Sequence, residues 1–192
     1  MKIGLFFGSF NPIHNGHLII ANYICETTDL DKVWFVVSPQ NPFKKKDSLL
    51  NEYDRLHLIN LAIEGNKNLS SSDIEFKLPK PSYTIDSLTH LKEKFPQHQF
   101  SLIMGGDNLS NLDKWKNADI ILKHYPIYVY SRSSEDKNPF SNHKGIHLLD
   151  VPMLDISATF IRENIRNGIS MQYFLPDKVW AYIKENGWYK NK

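Results

Sequence analysis

A chain of 192 residues is long enough to close one full hydrophobic core, and residues 1–192 read as a single domain. With 41% apolar and 23% charged residues it has the composition of an ordinary globular protein, and its net charge of +2 argues against nucleic acid as the partner. A single cysteine, Cys25, excludes an internal disulfide and fits a reducing compartment, so a cytoplasmic protein is expected.

The chain opens on an apolar run, Ile3–Phe7, that reads as a buried strand. The run ends at Gly8, too soon for a signal sequence or a membrane span. Leu18–Thr28 continues a first helix, and Lys32–Val37 is a second buried strand. Leu49–Glu64 has helical spacing at Leu50, Leu58, Leu61 and Ile63 and stops at Gly65. Ser72–Phe76 is expected as a third strand, and Thr84–Lys94 as a helix that halts before Pro96. Phe100–Met104, Ile127–Tyr130 and Ile146–Leu149 read as further strands. The polar stretch Ser131–Lys144 reads as a mobile surface loop. Ser157–Arg166 and Pro176–Glu185 read as closing helices, with Gly187 suited to a C-cap. This alternation predicts an α/β fold: a doubly wound, mostly parallel sheet with helices on both faces. Ligands in such folds bind at the carboxyl ends of the strands.

The chemistry concentrates at those ends. Gly8-Ser9-Phe10-Asn11-Pro12-Ile13-His14-Asn15-Gly16-His17 follows the first strand directly and opens the first helix. A helix N-terminus carries free N–H groups and positive potential, so it attracts anions. His14 and His17 stand at that same end, and Gly16 between them lets a ligand approach the backbone. Tolerated polar residues or a metal site are the alternatives. Zinc would need further ligands at fitting spacing, which Cys25 alone does not supply. A second anion site is suggested by Asp155-Ile156-Ser157-Ala158-Thr159-Phe160-Ile161-Arg162. Plain helix capping explains the hydroxyls, but a guanidinium on the first turn also suits bidentate phosphate contact. Three weaker segments sit after strands or before a helix: Pro42-Phe43-Lys44, Pro81-Ser82-Tyr83-Thr84, and Met104-Gly105-Gly106-Asp107 with Trp115 beyond it. Taken singly they read as a solvated lysine loop, a turn entering a helix, and a core tryptophan.

The first two motifs together resemble the His-x-Gly-His and Ile-Ser-x-Thr-x-Ile-Arg signatures of the nucleotidylyltransferase superfamily. Nearly the whole chain is similar to its bacterial nicotinate mononucleotide adenylyltransferases. The resemblance implies a Rossmann-like nucleotidylyltransferase fold and adenylyl transfer from ATP to nicotinate mononucleotide, giving deamido-NAD and pyrophosphate in NAD biosynthesis. It implies His14, His17 and Arg162 as catalytic residues. Gly8, Ser9, Phe10, Gly105, Asp107, Ser157 and Thr159 join them in binding ATP. Lys44, Tyr83, Thr84, Trp115 and Arg132 are carried over to the second substrate: Tyr83 and Thr84 to the nicotinate carboxylate, Trp115 to stacking on the pyridine ring. Phe43 departs from the family, which has a histidine there. Arg55 falls within the similar region and is not counted as a site residue.

In such a reaction the nucleophile is a phosphate oxygen, anionic near neutral pH, so no general base is required, and no nucleophile–base signature is found. Positioning and electrostatics then carry the catalysis. The expected cofactor is Mg²⁺, held mainly by nucleotide phosphates and water, with no metal ligands named on the chain. ATP and nicotinate mononucleotide are the expected partners, with no membrane; a homo-oligomer is compatible with the sequence. Other members of the superfamily, such as phosphopantetheine adenylyltransferases or cytidylyltransferases, share the two phosphate motifs. A non-catalytic nucleotide sensor is a rival of another class, against which the intact His14, His17, Thr159 and Arg162 argue.

Overall fold

The computed structural model describes residues 1–39, 49–131, 140, 142–152 and 154–190. Lys44, Phe43 and Arg132, and most of the polar stretch Ser131–Lys144, lie outside the described residues. Six strands form one sheet in the order β3-β2-β1-β4-β5-β6. They are β1 (Lys2–Gly8), β2 (Lys32–Val37), β3 (Leu69–Ser72), β4 (Gln99–Gly105), β5 (Ile127–Ser131) and β6 (Ile146–Asp150). All of their pairings are parallel, with Leu5 opposite Trp34 on one side and Leu102 on the other. A parallel sheet must be covered on both faces, because its crossovers lie there.

Strand alternation divides the core in two. On one face Phe6, Phe35 and Tyr128 meet Ile20 and Ile24 of α1 (Asn15–Thr27), Leu58 and Ile59 of α2 (Glu52–Ala62), Ile161 of α6 (Ala158–Arg166) and Val179 and Ile183 of α7 (Asp177–Glu185). On the other face Ile3, Leu5, Leu102 and Val129 meet Leu88 and Leu91 of α3 (Thr84–Lys94) and Ile121 of α5 (Ala118–His124). The short α4 (Gly106–Leu109) follows β4 directly. The strand order reverses between β1 and β4, so the crevice at their carboxyl ends is the topological switch point. Gly8 and Gly105 end the two strands there.

Two predicted elements are corrected. The third strand is Leu69–Ser72, not Ser72–Phe76, and Ile74–Lys77 forms a 3₁₀ turn instead. Polar Ser70 and Ser71 hid the strand, which lies at the sheet edge and pairs with β2 alone. The second helix is shorter than Leu49–Glu64: Asn51 caps it, its side chain accepting the Tyr53 N–H at 2.9 Å, so it runs Glu52–Ala62.

Candidate active site

The turn after β1 is shaped by its own aromatic residue. Phe10 adopts a positive φ of 45° and drives its ring into the core, edge-on to Phe6, Phe35 and His17. Its side chain is 2% exposed, so what Phe10 offers a ligand is backbone. The chain then enters α1 with His14 as N-cap. The His14 backbone N–H donates to His17 Nδ1 at 3.3 Å, and the His17 N–H donates back to the His14 carbonyl at 2.9 Å. Because Nδ1 of His17 accepts, the neutral ring carries its proton on Nε2 and acts there as a donor.

The two imidazoles stack, with centroids 3.7 Å apart and planes inclined by 24°. His14 is 4% exposed, and burial pushes its pKa down to about 4, so it is neutral near pH 7. Its Nδ1 is buried with no hydrogen-bond partner among the described residues. A native structure rarely leaves such an atom unmatched unless a ligand or a water completes it. Gly16 is what lets the ring sit there. A Cβ at that position would come within 3.1 Å of His14 Nδ1 and 3.9 Å of Ile156 Cβ, at the approach to α6.

The second motif lies against the first. Ser157 caps α6, its hydroxyl accepting the Phe160 N–H at 3.1 Å. Arg162, one turn on, reaches back to the first motif. Its Nη1 donates to the Asn11 carbonyl at 2.8 Å and its Nη2 to Thr159 Oγ1 at 3.2 Å. Residues 151 positions apart in the chain are thus joined directly, and the N-termini of two helices share one crevice. Anions placed between them meet both positive helix ends and a guanidinium.

Across the switch point, Gly105 caps α4 and Asp107 is exposed, its carboxylate folded against Gly105. Further along the same edge Tyr83 caps α3, which begins at Thr84. Tyr83 is 43% exposed, and the Lys116 ammonium sits 4.9 Å from its ring centre while pairing with Asp86 at 3.0 Å. Lys116 follows Trp115, whose ring is partly buried against the second core cluster. The Tyr83–Thr84 and Trp115 segments are therefore neighbours in space. Among the described residues, no group of three or more His, Cys, Asp or Glu is gathered as a metal site, and no helix is long and apolar enough to cross a membrane.

Three residues outside the expected site hold it together. Arg55 is wholly buried and donates to four carbonyls: Leu50 (2.9 Å), Ser9 (2.6 Å), Ser38 (2.9 Å) and Pro39 (3.2 Å). It pins the loops after β1 and β2 to the start of α2. Asn11 is 3% exposed; its Oδ1 accepts from the Leu50 N–H at 3.2 Å and from the Tyr189 hydroxyl at 2.7 Å. The place of Arg55 within the region of family resemblance was the available signal for the first. Tyr189 gave none, because its partner lies 178 residues away.

Comparison with known proteins decides the family. A profile described as cytidylyltransferase-like matches residues 5–164. A protein of Flavobacterium psychrophilum named a probable nicotinate-nucleotide adenylyltransferase is 58% identical over 99% of this chain and 100% of its own length. One of Bacteroides fragilis with the same name is 45% identical over 95% of this chain and 90% of its own. The chain belongs to the nicotinate-nucleotide adenylyltransferases, within the cytidylyltransferase-like family. The fold agrees: Plasmodium falciparum nicotinic acid mononucleotide adenylyltransferase, solved with NaAD, superposes with a TM-score of 0.82 at 19% identity, covering 98% of this chain and 97% of that one.

Proposed function

We propose that the chain transfers the adenylyl group of ATP to nicotinate mononucleotide, releasing pyrophosphate and forming nicotinate adenine dinucleotide. The observation that carries this reading is the Arg162–Asn11 bond, which brings two helix N-termini and two stacked imidazoles to the switch point of the sheet. In the reaction, a phosphate oxygen of the mononucleotide attacks the α-phosphorus. A new P–O bond forms as the bond to the β-phosphate bridge breaks, and pyrophosphate leaves with the electron pair. No proton need be removed, so the protein's task is to orient two anions and to meet the charge that develops on the leaving group.

His17, donating from Nε2, and the stacked His14 are assigned to the ATP phosphates beside the α1 N-terminus, with the backbone of Gly8, Ser9 and Phe10. Ser157, Thr159 and Arg162 are assigned to the β- and γ-phosphates, and Gly105 and Asp107 to the nucleoside. Tyr83, Thr84 and Trp115 are assigned to the nicotinate moiety. A carboxylate at the α3 N-terminus is favoured by the free N–H groups of its first turn. Lys44 and Arg132 remain candidates for the second substrate. Among the described residues, the donor set around the site offers imidazoles and hydroxyls but no carboxylate cage, which fits Mg²⁺ arriving with the nucleotide and held by its phosphates and water. When bound, the ion would neutralise phosphate charge. The buried free Cys25 fits a cytoplasmic setting, and the whole of 1–192 is taken as one catalytic domain.

The test is pyrophosphate release with ATP and Mg²⁺, comparing nicotinate mononucleotide, its amide and phosphopantetheine as acceptors. A strong preference for nicotinate mononucleotide is expected. Turnover of another acceptor would keep the ATP site and overturn the substrate assignment, and turnover of none would favour a sensor.

A further inference from the structure

The end of the chain reaches the active site, and nothing in the reaction described so far uses it. Helix α7 ends at Glu185, and just beyond its cap Gly187, with a φ of 64°, reverses the backbone. The Gly187 N–H donates to the Lys184 carbonyl at 3.2 Å and the Trp188 N–H to the Ile183 carbonyl at 3.1 Å, the paired bonds of a Schellman ending. Trp188 then packs edge-on to Tyr182, with ring centres 5.4 Å apart. This reversal delivers Tyr189 into the molecule, where its hydroxyl donates to Asn11 Oδ1 at 2.7 Å.

Two features mark that contact as more than a tail packed on a surface. Tyr189 holds a φ of 66°, a left-handed conformation that bulky L-residues avoid, so surrounding contacts must over-determine it. Its acceptor, Asn11, sits between Phe10, itself at a positive φ, and the start of α1, and its backbone carbonyl is the one that receives Arg162 Nη1. The same side-chain oxygen of Asn11 accepts the Leu50 N–H, and the Leu50 carbonyl receives Arg55 Nε. One asparagine therefore links the C-terminal turn, the start of α2 and the Arg162 guanidinium. Burial holds the Tyr189 phenol far above its ordinary pKa, which keeps it a donor throughout the working range.

We infer that Tyr189 is a positioning residue for ATP: through Asn11 it fixes the turn after β1 and, with it, the direction of Arg162. The inference rests on the assignment of this crevice to ATP phosphates. An apolar side chain would fill the same space, so the hydroxyl is the part that acts. Removing it takes away one of the bonds that hold the Asn11 side chain and loosens the turn whose backbone carbonyl receives Arg162.

The test is Tyr189→Phe, read by initial rates against each substrate and by calorimetric binding of a non-hydrolysable ATP analogue. The expected result is a loss of about tenfold in kcat/KM for ATP and in analogue affinity, the scale of a small misplacement of a binding group. The KM for nicotinate mononucleotide should stay within about twofold. In an Arg162→Lys background the same change should cost less than about twofold, because the two act through one contact. Tyr182→Leu, which loosens Trp188 and spares the hydroxyl, serves as the stability control. It should lower the melting temperature without a selective ATP effect, and it keeps the question open to measurement should Tyr189→Phe fold poorly. Unchanged ATP kinetics in Tyr189→Phe, full additivity with Arg162→Lys, or an equal ATP defect in Tyr182→Leu would each overturn the inference. Failure of the wild-type protein to use nicotinate mononucleotide would overturn the functional reading instead, and analogue binding would still separate the two.

Discussion

Replacing Gly16 by alanine sets helix stability against catalysis, and the two should move in opposite directions. Gly16 is the second residue of α1, where alanine is favoured over glycine by roughly 0.5–1 kcal/mol. On the Ile156 side the new methyl has room, at 3.9 Å. On the His14 side it meets Nδ1 at 3.1 Å and Cε1 at 3.2 Å, a few tenths of an ångström inside ordinary contact. The imidazole has nowhere to give: it is 4% exposed and stacked at 3.7 Å on His17, whose Nδ1 is tied to the His14 N–H. Displacement of His14 therefore carries His17 with it. A shift of about half an ångström in two proposed phosphate donors should cost on the order of tenfold in kcat, since misplacement by about 1 Å costs about a hundredfold. The assay is steady-state pyrophosphate release alongside thermal unfolding. A variant with an unchanged or raised melting temperature and a tenfold lower kcat is expected. Full activity would refute the claim that the His14–His17 stack is held rigidly against this glycine.

Four further outcomes are expected. His17→Ala should lower kcat by roughly 10²-fold, the usual loss for one preorganised donor; a variant with normal kcat and only a raised KM would show that His17 merely holds substrate. His14, near pH 4 when folded against 6.5 when free, is neutral in the native state, so its stability contribution is full above pH 6.5. That contribution falls as pH drops towards 4, by at most about 3 kcal/mol, which comparing acid unfolding of the wild type with His14→Asn checks. ATP should raise protonation of the paired imidazoles, and NMR titration finding both neutral in the complex near pH 7 would sink that expectation. Arg55→Met should destabilise by about 3 kcal/mol, because the carbonyls of Ser9, Ser38, Pro39 and Leu50 lose their donor; an unchanged urea midpoint would contradict it.

Much of the architecture was legible because a parallel sheet writes itself in apolar runs. Ile3–Phe7, Phe100–Met104 and Ile127–Tyr130 are buried from both sides and have little choice of residue. The edge strand β3 was misplaced for the complementary reason: pairing with β2 alone allows Ser70 and Ser71 within the strand, and no apolar signal survives. The same logic divides the site. The residues proposed to meet an anion sit at helix starts, where glycine, histidine and hydroxyls stand out against an apolar pattern. Residues that hold the turn in place are chosen by partners far along the chain, and no local window contains both halves of the Tyr189–Asn11 or Arg162–Asn11 bonds.

That division has a physical consequence for how the site carries charge. Arg55, wholly buried, is spent on four carbonyls and serves the scaffold. Its cationic field still reaches the turn it braces, at no cost in reorganisation when substrate arrives. Arg162 is half committed, with one amine on Asn11 and another on Thr159, so it is aimed before a phosphate is present. His14 enters neutral through burial and, on the proposed reading, becomes cationic only to the extent that bound phosphate raises its pKa. A site built this way keeps positive charge low while empty and raises it on binding. Proton uptake on ATP binding, measured in buffers of different ionisation enthalpy, is the direct consequence: uptake should grow as pH falls from 7 towards 6. Binding with no proton exchange across that range would mean that the helix ends and Arg162 alone meet the phosphates.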